Sequence, residues 1–381
     1  MGREPGVARA AHRDLAAAVT SFAAAAGLLR EAIDARAFPS ASVEVGSREH
    51  VLWRDAFGRL TYDALALSTT LDTIYDLASL TKVVASTTLA MRAVDDGRLR
   101  LEDRVAAWIP EWRGADREDV TIHDLLAHAS GLTAYLPYFR DLTGRAEFQP
   151  AIATSPLEYR PRTQAIYSDL GFILLGFILE DARARADTPW AGAVDPAARL
   201  GPQFTRLAKL ITEDPLTFTP PRHWRERIAP TGHDAWRGRL LTGEVHDENA
   251  WALGSAAGHA GLFGTAAAVG SFARAVLHTI HDGAILAAPT TIRTFMARTA
   301  VPGSSRALGW DTMLPTSSCG TLMSPTAIGH TGFTGTSLWI DWERDLYVVL
   351  LTNRVHPSRE NTAIQQIRPR FHDAVVRALA P

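Results

Sequence analysis

Ser79 and Lys82 stand three residues apart in "YDLASLTKVVASTTLAMRAVDDG" (75–97), and Lys82 is one of two lysines beside thirty-seven arginines. A serine hydroxyl is a weak nucleophile until a neighbouring base removes its proton. Lysine can be that base where burial or nearby positive potential lowers its pKa. Arginine cannot, because its guanidinium keeps its proton in a protein. A chain that otherwise uses arginine thus keeps lysine where only a cation able to lose its proton serves. The apolar run after Lys82 predicts a largely buried helix starting near Ser79 and stopping at Gly97. Ser79 and Lys82 would share one face of its first turn, where free backbone N–H groups suit an oxyanion. The structural alternative is a capping serine followed by a solvated lysine.

Two further stretches bear on the choice. Tyr167-Ser168-Asp169 opens a second apolar helix in "QAIYSDLGFILLGFILEDA", and a tyrosine hydroxyl beside cations can act as general acid or base. His330-Thr331-Gly332 precedes a predicted strand in "AIGHTGFTGTSLWID". A glycine there lets backbone approach a ligand closely, and a strand edge can donate an N–H to an oxyanion. Other histidines lean structural. His123 and His128 lie in "TIHDLLAHASGL", where Thr121 and Asp124 form a helix-start pair and Gly131 a stop. His246, Asp247, Glu248 and His259 are metal-ligand types, but their spacing matches no common zinc motif. They are read as a wall of the cleft or as loop anchors. No metal or cofactor is expected.

The elements that must position these residues follow from patterning. Residues 41–60 show two β-rich runs around a Gly-Ser-Arg-Glu turn, and 338–341 with 346–352 form a second hairpin pattern around "WERD". A final helix is predicted over roughly 361–379. Strands near both ends predict an α/β (α+β) chain with one antiparallel sheet flanked by helices. Residues 1–76 and 250–381 would build that α/β domain, and 77–249 an inserted, mainly helical domain, with the active site between them. Residues 213–234, rich in proline and arginine, read as a long surface loop.

Composition narrows the class. Hydrophobic residues make up 46% and charged residues 21%, which fits a globular chain with a substantial core. A net charge of −2 favours neither nucleic acid nor an anionic membrane surface. One cysteine, Cys319, rules out an intramolecular disulfide and any Cys-clustered zinc site. The alanine-rich stretch 15–29 is read as an ordinary helix in a cytoplasmic protein, the alternative being a signal peptide and a periplasmic or secreted one. It is too short for a membrane span.

Ser79-Leu80-Thr81-Lys82, Tyr167-Ser168-Asp169 and His330-Thr331-Gly332 resemble, in order and approximate spacing, the three motifs of the serine β-lactamase/penicillin-binding-protein superfamily. The similarity is to its class C-type branch, which also holds D-alanyl-D-alanine carboxypeptidases, D-aminopeptidases and esterases. "TIHDLLAHASGL" and "AAGHAGLFGTAAAVGSFARAVL" look like further segments of that branch, and "GEVHDENA" resembles a signature of its peptidoglycan-turnover subgroup. The resemblance runs from about residue 30 to the C-terminus. It implies a β-lactamase/transpeptidase-like fold with Ser79 as acylated nucleophile, Lys82 as its base and Tyr167 as acid to the leaving group. It also implies an oxyanion hole from the backbone N–H groups of Ser79 and Phe333.

Two departures stand out. His330 occupies the place where many relatives have lysine, which leaves recognition of a substrate carboxylate to be explained. Asp169 replaces the usual asparagine and lacks its amide donor, so a substrate amide would be held differently. Asp169, His330, Thr331 and Gly332 are expected to bind substrate, and His246, Glu248 and His259 to wall the cleft. The departures weigh against efficient β-lactam hydrolysis. The expected function is a serine hydrolase acting through an acyl-enzyme on a peptidoglycan-derived peptide amide. The alternatives are a promiscuous short-chain carboxylesterase, a β-lactamase, or a penicillin-recognising sensor with poor turnover. The partner is a small molecule or a peptidoglycan fragment, with no bearing on oligomeric state.

Overall fold

The near-continuous apolar run over 346–352 is what a strand buried on both faces requires, and the sheet shows where each set of side chains goes. The computed structural model describes residues 22–187 and 199–379. Six antiparallel strands run in the order Val51–Gly58, Ser40–Gly46, Leu346–Thr352, Ser337–Asp341, Ile328–Thr331 and Asp311–Thr312. Strands from the two ends of the chain therefore lie side by side, with Ala41 opposite Thr352 and Gly46 opposite Tyr347.

The period of two in Leu346–Thr352 divides the core. Tyr347, Val349 and Leu351 pack with Val269, Phe272 and Val276 of the helix Ala266–His281 on one face. Leu346, Val348 and Leu350 pack on the other with Leu29 of the helix Ala23–Asp34 and with Phe371 and Val375 of Ile364–Ala378. All seven residues of the strand are buried, so a slip of one residue would exchange these sets. The second hairpin and the last helix fall within three residues of their expected limits. Buried Glu44, in the middle of Ser40–Gly46, accepts from Arg54 at 2.6 Å, Arg274 at 2.8 Å and the Tyr347 hydroxyl at 2.7 Å. A carboxylate so placed is tolerable only when fully paired.

Residues 77–187 are mainly helical, and the helix Asp169–Asp187 is buried on nearly every side through Leu170, Phe172, Leu174, Leu175 and Ile178. The expected loop 213–234 is more ordered than its proline content suggests. It holds the two-residue strand Leu216–Thr217, which joins Tyr75–Asp76 and Phe263–Gly264 in a small three-stranded sheet. That sheet fixes the chain three residues before Ser79, at Asp76. The stretch 15–29 lies in part outside the described residues, and within it the helix begins at Ala23. Among the described residues no helix is long and apolar enough to cross a membrane.

Candidate active site

The nucleophile candidate follows a bent backbone. Ala78 has φ of 47°, unusual for a residue with a Cβ, and its N–H is held by the Asp76 carboxylate at 2.8 Å. The other Asp76 oxygen accepts the His246 backbone N–H at 2.6 Å. Burial pushes the Asp76 carboxyl up to about 6, against the pull of those two N–H groups. The expected helix then begins, but from Lys82 to Thr87 it is a π-helical turn before the α-helix Thr88–Asp95. Such widened turns recur at functional sites because they displace a side chain from regular spacing.

Lys82 is fully buried, and its Nζ has three acceptors. It lies 3.1 Å from Ser79 Oγ, 2.7 Å from Asp169 Oδ1 and 3.1 Å from the His259 carbonyl oxygen. Burial by itself would lower its pKa, as the sequence led one to expect. The ion pair with Asp169, helped by Tyr167, more than offsets this, and the Lys82 pKa stands above its ordinary value. The resting amine is therefore a cation poised on the serine. Asp169, expected to bind substrate, turns Oδ1 towards Lys82, with its side chain still partly exposed. The physical reason is the unpaired ammonium: in a buried site the carboxylate gains most by meeting it.

Tyr167 is held from behind. The N–H of Ser168 donates to His128 Nδ1 at 3.0 Å, and the His128 ring packs 4.7 Å from the Tyr167 ring, centroid to centroid. Burial drives the His128 pKa well below its ordinary value, so it is a neutral packing ring. Its backbone sits at positive φ just after the helix Ile122–Leu126, whose start is the reciprocal Thr121–Asp124 pair. The Tyr167 hydroxyl makes no hydrogen bond of standard geometry, while Lys82 Nζ lies 4.7 Å from the ring centre. Burial outweighs this cation and keeps the phenol protonated.

The third motif is stapled to the first. Thr334 and Thr336 hydroxyls donate to the carbonyl oxygens of Asp76 and Leu77 at 2.7 and 2.9 Å. A Cβ on Gly332 would come within 2.5 Å of the Leu77 oxygen, so only glycine lets the turn approach this closely. His330 is buried, its Nδ1 on the Thr331 carbonyl oxygen at 2.8 Å, and burial holds its pKa well below the ordinary value. It does not supply the positive charge that a lysine would. Among the described residues neither the Ser79 nor the Phe333 amide N–H has an acceptor.

A cavity of about 450 Å³ opens on this constellation, lined by Ser79, Tyr167, Arg306, His330, Thr331, Gly332 and Phe333 among others. Three residues expected to wall the cleft stand one layer behind it. The His246 ring stacks under Phe333 at 5.9 Å, Glu248 pairs with Arg359 at 2.6 Å, and His259 Nε2 meets Asp247 Oδ1 at 2.8 Å. Asp247 also caps the helix Glu248–Ala252, and its pKa is lowered chiefly by His259 despite burial. Among the described residues, a grouping able to hold a metal occurs only at exposed Glu49 and Asp282 with half-buried His278, away from this cavity.

Gly258 makes the Lys82 support possible. Its carbonyl accepts from Ser86 at 2.6 Å, and an added Cβ would lie 2.0 Å from the Phe172 carbonyl oxygen. Gly258→Ala is expected to destabilise the fold by about 3 kcal/mol, because backbone must move to admit it. Thermal unfolding of the variant checks this; an unchanged midpoint would contradict the packing.

A serine at the cavity with a buried lysine beside it, a protonated tyrosine and a glycine turn bonded to the segment before Ser79 make an arrangement suited to acyl transfer. Residues 25–369 match the Beta-lactamase family, and the chain belongs to that family as a serine hydrolase. A Salmonella gallinarum protein with the provisional name D-alanyl-D-alanine carboxypeptidase is 31% identical over 372 residues, covering 89% of this chain and 84% of its own. A Salmonella agona protein of the same provisional name is 30% identical with the same coverage. Among solved structures, EstCE1, a hydrolase with promiscuous acyltransferase activity, has a TM-score of 0.71 at 21% identity, with 94% of this chain and 99% of that one covered. A class C β-lactamase from Rhodobacter sphaeroides has a TM-score of 0.70 at 19% identity, with the same coverage. The fold is accordingly β-lactamase/transpeptidase-like, an antiparallel sheet between helices.

Proposed function

We propose that the protein hydrolyses the amide of a peptide ending in D-alanine, of the kind peptidoglycan carries, through an acyl-enzyme on Ser79. The observation that carries this is the Lys82 ammonium, set between Ser79 Oγ and Asp169 Oδ1 at 3.1 and 2.7 Å. The relatives at 30–31% identity support the substrate class. The cavity draws Ser79 and Tyr167 from one side and His330 to Phe333 from the other. This supports a two-part division into residues 1–76 with 250–381 and residues 77–249, with the reaction between them.

In this mechanism the deprotonated fraction of Lys82 takes the Ser79 proton as Oγ bonds to the substrate carbonyl carbon. The Ser79 and Phe333 N–H groups hold the oxyanion. Tyr167 gives its proton to the leaving nitrogen, the C–N bond breaks, and Lys82 returns a proton to Tyr167. Water then attacks the ester, losing its proton to the same pair, and Ser79 is released. His330, Thr331 and Gly332 shape the side of the cleft along which the peptide lies.

Purified protein screened against acyl-D-Ala-D-Ala peptides, muropeptides, p-nitrophenyl esters and nitrocefin tests the reading. Release of D-alanine by wild type and background rates for Ser79→Ala are expected. Equal turnover by both would remove Ser79 from the reaction, and ester turnover alone would move the assignment to a carboxylesterase.

A further inference from the structure

Between Leu253 and Leu262 the chain reads Gly-Ser-Ala-Ala-Gly-His-Ala-Gly, so His259 is the one residue there with a side chain larger than that of serine. Such a stretch has little side-chain packing to fix its path. Yet it carries an acceptor of the proposed base. The Lys82 ammonium has three N–H donors and three acceptors, and the His259 carbonyl oxygen is the one of the three that belongs to backbone. Lys82 is fully buried, so a displaced acceptor would leave a donor unmet. The position of the amine thus depends on that carbonyl.

Two ties hold the stretch. One runs to the segment that carries Lys82: Ser86 Oγ donates to the Gly258 carbonyl at 2.6 Å, and Leu262 N–H donates to Thr81 Oγ1 at 3.1 Å. The other runs through the buried His259 ring. Its Nε2 lies 2.8 Å from Asp247 Oδ1, and its Nδ1 has no hydrogen-bond partner among the described residues. Asp247 is itself well anchored. The same Oδ1 accepts the Ala250 N–H at 2.7 Å and so caps the helix Glu248–Ala252. Asn249 of that helix donates to the Leu136 carbonyl at 2.8 Å and accepts the Phe139 N–H at 2.9 Å. On its other side the His246 N–H is held by Asp76, at the approach to Ser79.

We propose that Asp247 and His259 form a hydrogen-bonded latch that sets the position of the Lys82 amine through the His259 carbonyl. Both are positioning residues, since neither touches the reacting atoms. Proton transfer from Ser79 needs Nζ within hydrogen-bond reach of Oγ, and small displacements of a reacting group cost rate steeply. The effect on catalysis rests on the reading of Lys82 as base. It does not rest on the identity of the acyl donor, so an ester serves to test it.

Asp247→Ser and Asp247→Asn separate the latch from the charge and from the helix cap. Both remove the charge, and both new side chains are good caps. Asparagine keeps an oxygen where Oδ1 stands and can still accept from the ring, whereas serine is too short to reach it. Stopped-flow kinetics with p-nitrophenyl butyrate should show acylation about tenfold slower in Asp247→Ser, with half-saturation within about twofold of wild type. Asp247→Asn should stay near the wild-type rate. Equal losses in the two variants would overturn the latch, because the charge and not the hydrogen bond would then matter.

The scarcity of lysine gives a second reading. In protein labelled with 13C at lysine Cε, one signal belongs to Lys82, assigned by its absence from Lys82→Arg, and the other to exposed Lys209. The Lys82 signal should move in Asp247→Ser and keep its place in Asp247→Asn, with Lys209 unmoved in both. An unmoved Lys82 signal in Asp247→Ser would overturn the proposal whatever the rates. If that signal moves and acylation keeps its speed, the latch stands and the reading of Lys82 as base falls.

Discussion

Lys82→Arg should lower kcat/KM by about 10³-fold while the protein remains folded. The substitution keeps a cation opposite Asp169, so the buried carboxylate retains its partner and the ion pair at 2.7 Å has a replacement. What is lost is the ability to accept a proton from Ser79 Oγ, which lies 3.1 Å from Nζ. The larger guanidinium must also fit where Lys82 is fully buried, so a modest fall in the unfolding midpoint is expected alongside. Rates of acylation by a chromogenic ester, with circular dichroism and a thermal melt, separate the two effects. A folded Lys82→Arg enzyme within tenfold of wild type would end the assignment of Lys82 as base.

Asp169→Asn should move the acid limb of the kcat/KM profile to lower pH. A base must be deprotonated to work, so activity rises as pH rises through the Lys82 pKa. Asp169 is the leading influence raising that pKa, and burial the one lowering it. With the carboxylate gone, burial dominates, and Lys82 loses its proton at lower pH. Stability gives an independent reading. A lysine whose folded pKa is raised contributes stability that is present below its unfolded pKa and lost as pH rises through the folded one. The variant should therefore be less stable than wild type at neutral pH, with the deficit shrinking in alkaline solution. Rate profiles and denaturant melts over the same pH range test both. An unmoved acid limb would mean that Asp169 does not set the charge of Lys82, whatever its distance.

Much of the site was legible along the chain for local reasons. Ser79 and Lys82 are one helical turn apart, so their contact needs no knowledge of the fold. Gly332 could be singled out because a glycine before a strand signals close approach, and the Leu77 oxygen is what it approaches. The second hairpin could be read because strands buried on both faces are β-rich apolar runs, here broken by a polar turn. The pairing of Asp169 with Lys82 could not be read, because the two are 87 positions apart and Tyr-Ser-Asp carries no sign of where the carboxylate turns. His128 was read as packing but not connected with Tyr167, since that contact forms only when two loops meet. Arg306 had no signal among thirty-seven arginines. What distinguishes it is its place on the cavity beside Tyr167, which is a property of three dimensions.

The amino-acid sequence by itself determined the chemistry: a lysine kept in an arginine-rich chain, three residues after a serine, with a tyrosine and a glycine turn to serve it. Residue type sets which atoms can lose or take a proton, and helical spacing sets which neighbours meet. Only the tertiary structure decided the charge of that lysine and the sign of the cleft. Both depend on burial and on partners brought from distant parts of the chain. Asp169 holds Lys82 protonated at rest, His330 is driven neutral by its surroundings, and Arg306 comes to stand over the Tyr167 ring in the same cavity. Electrostatic energies vary with distance and solvent access, and neither is written in a motif.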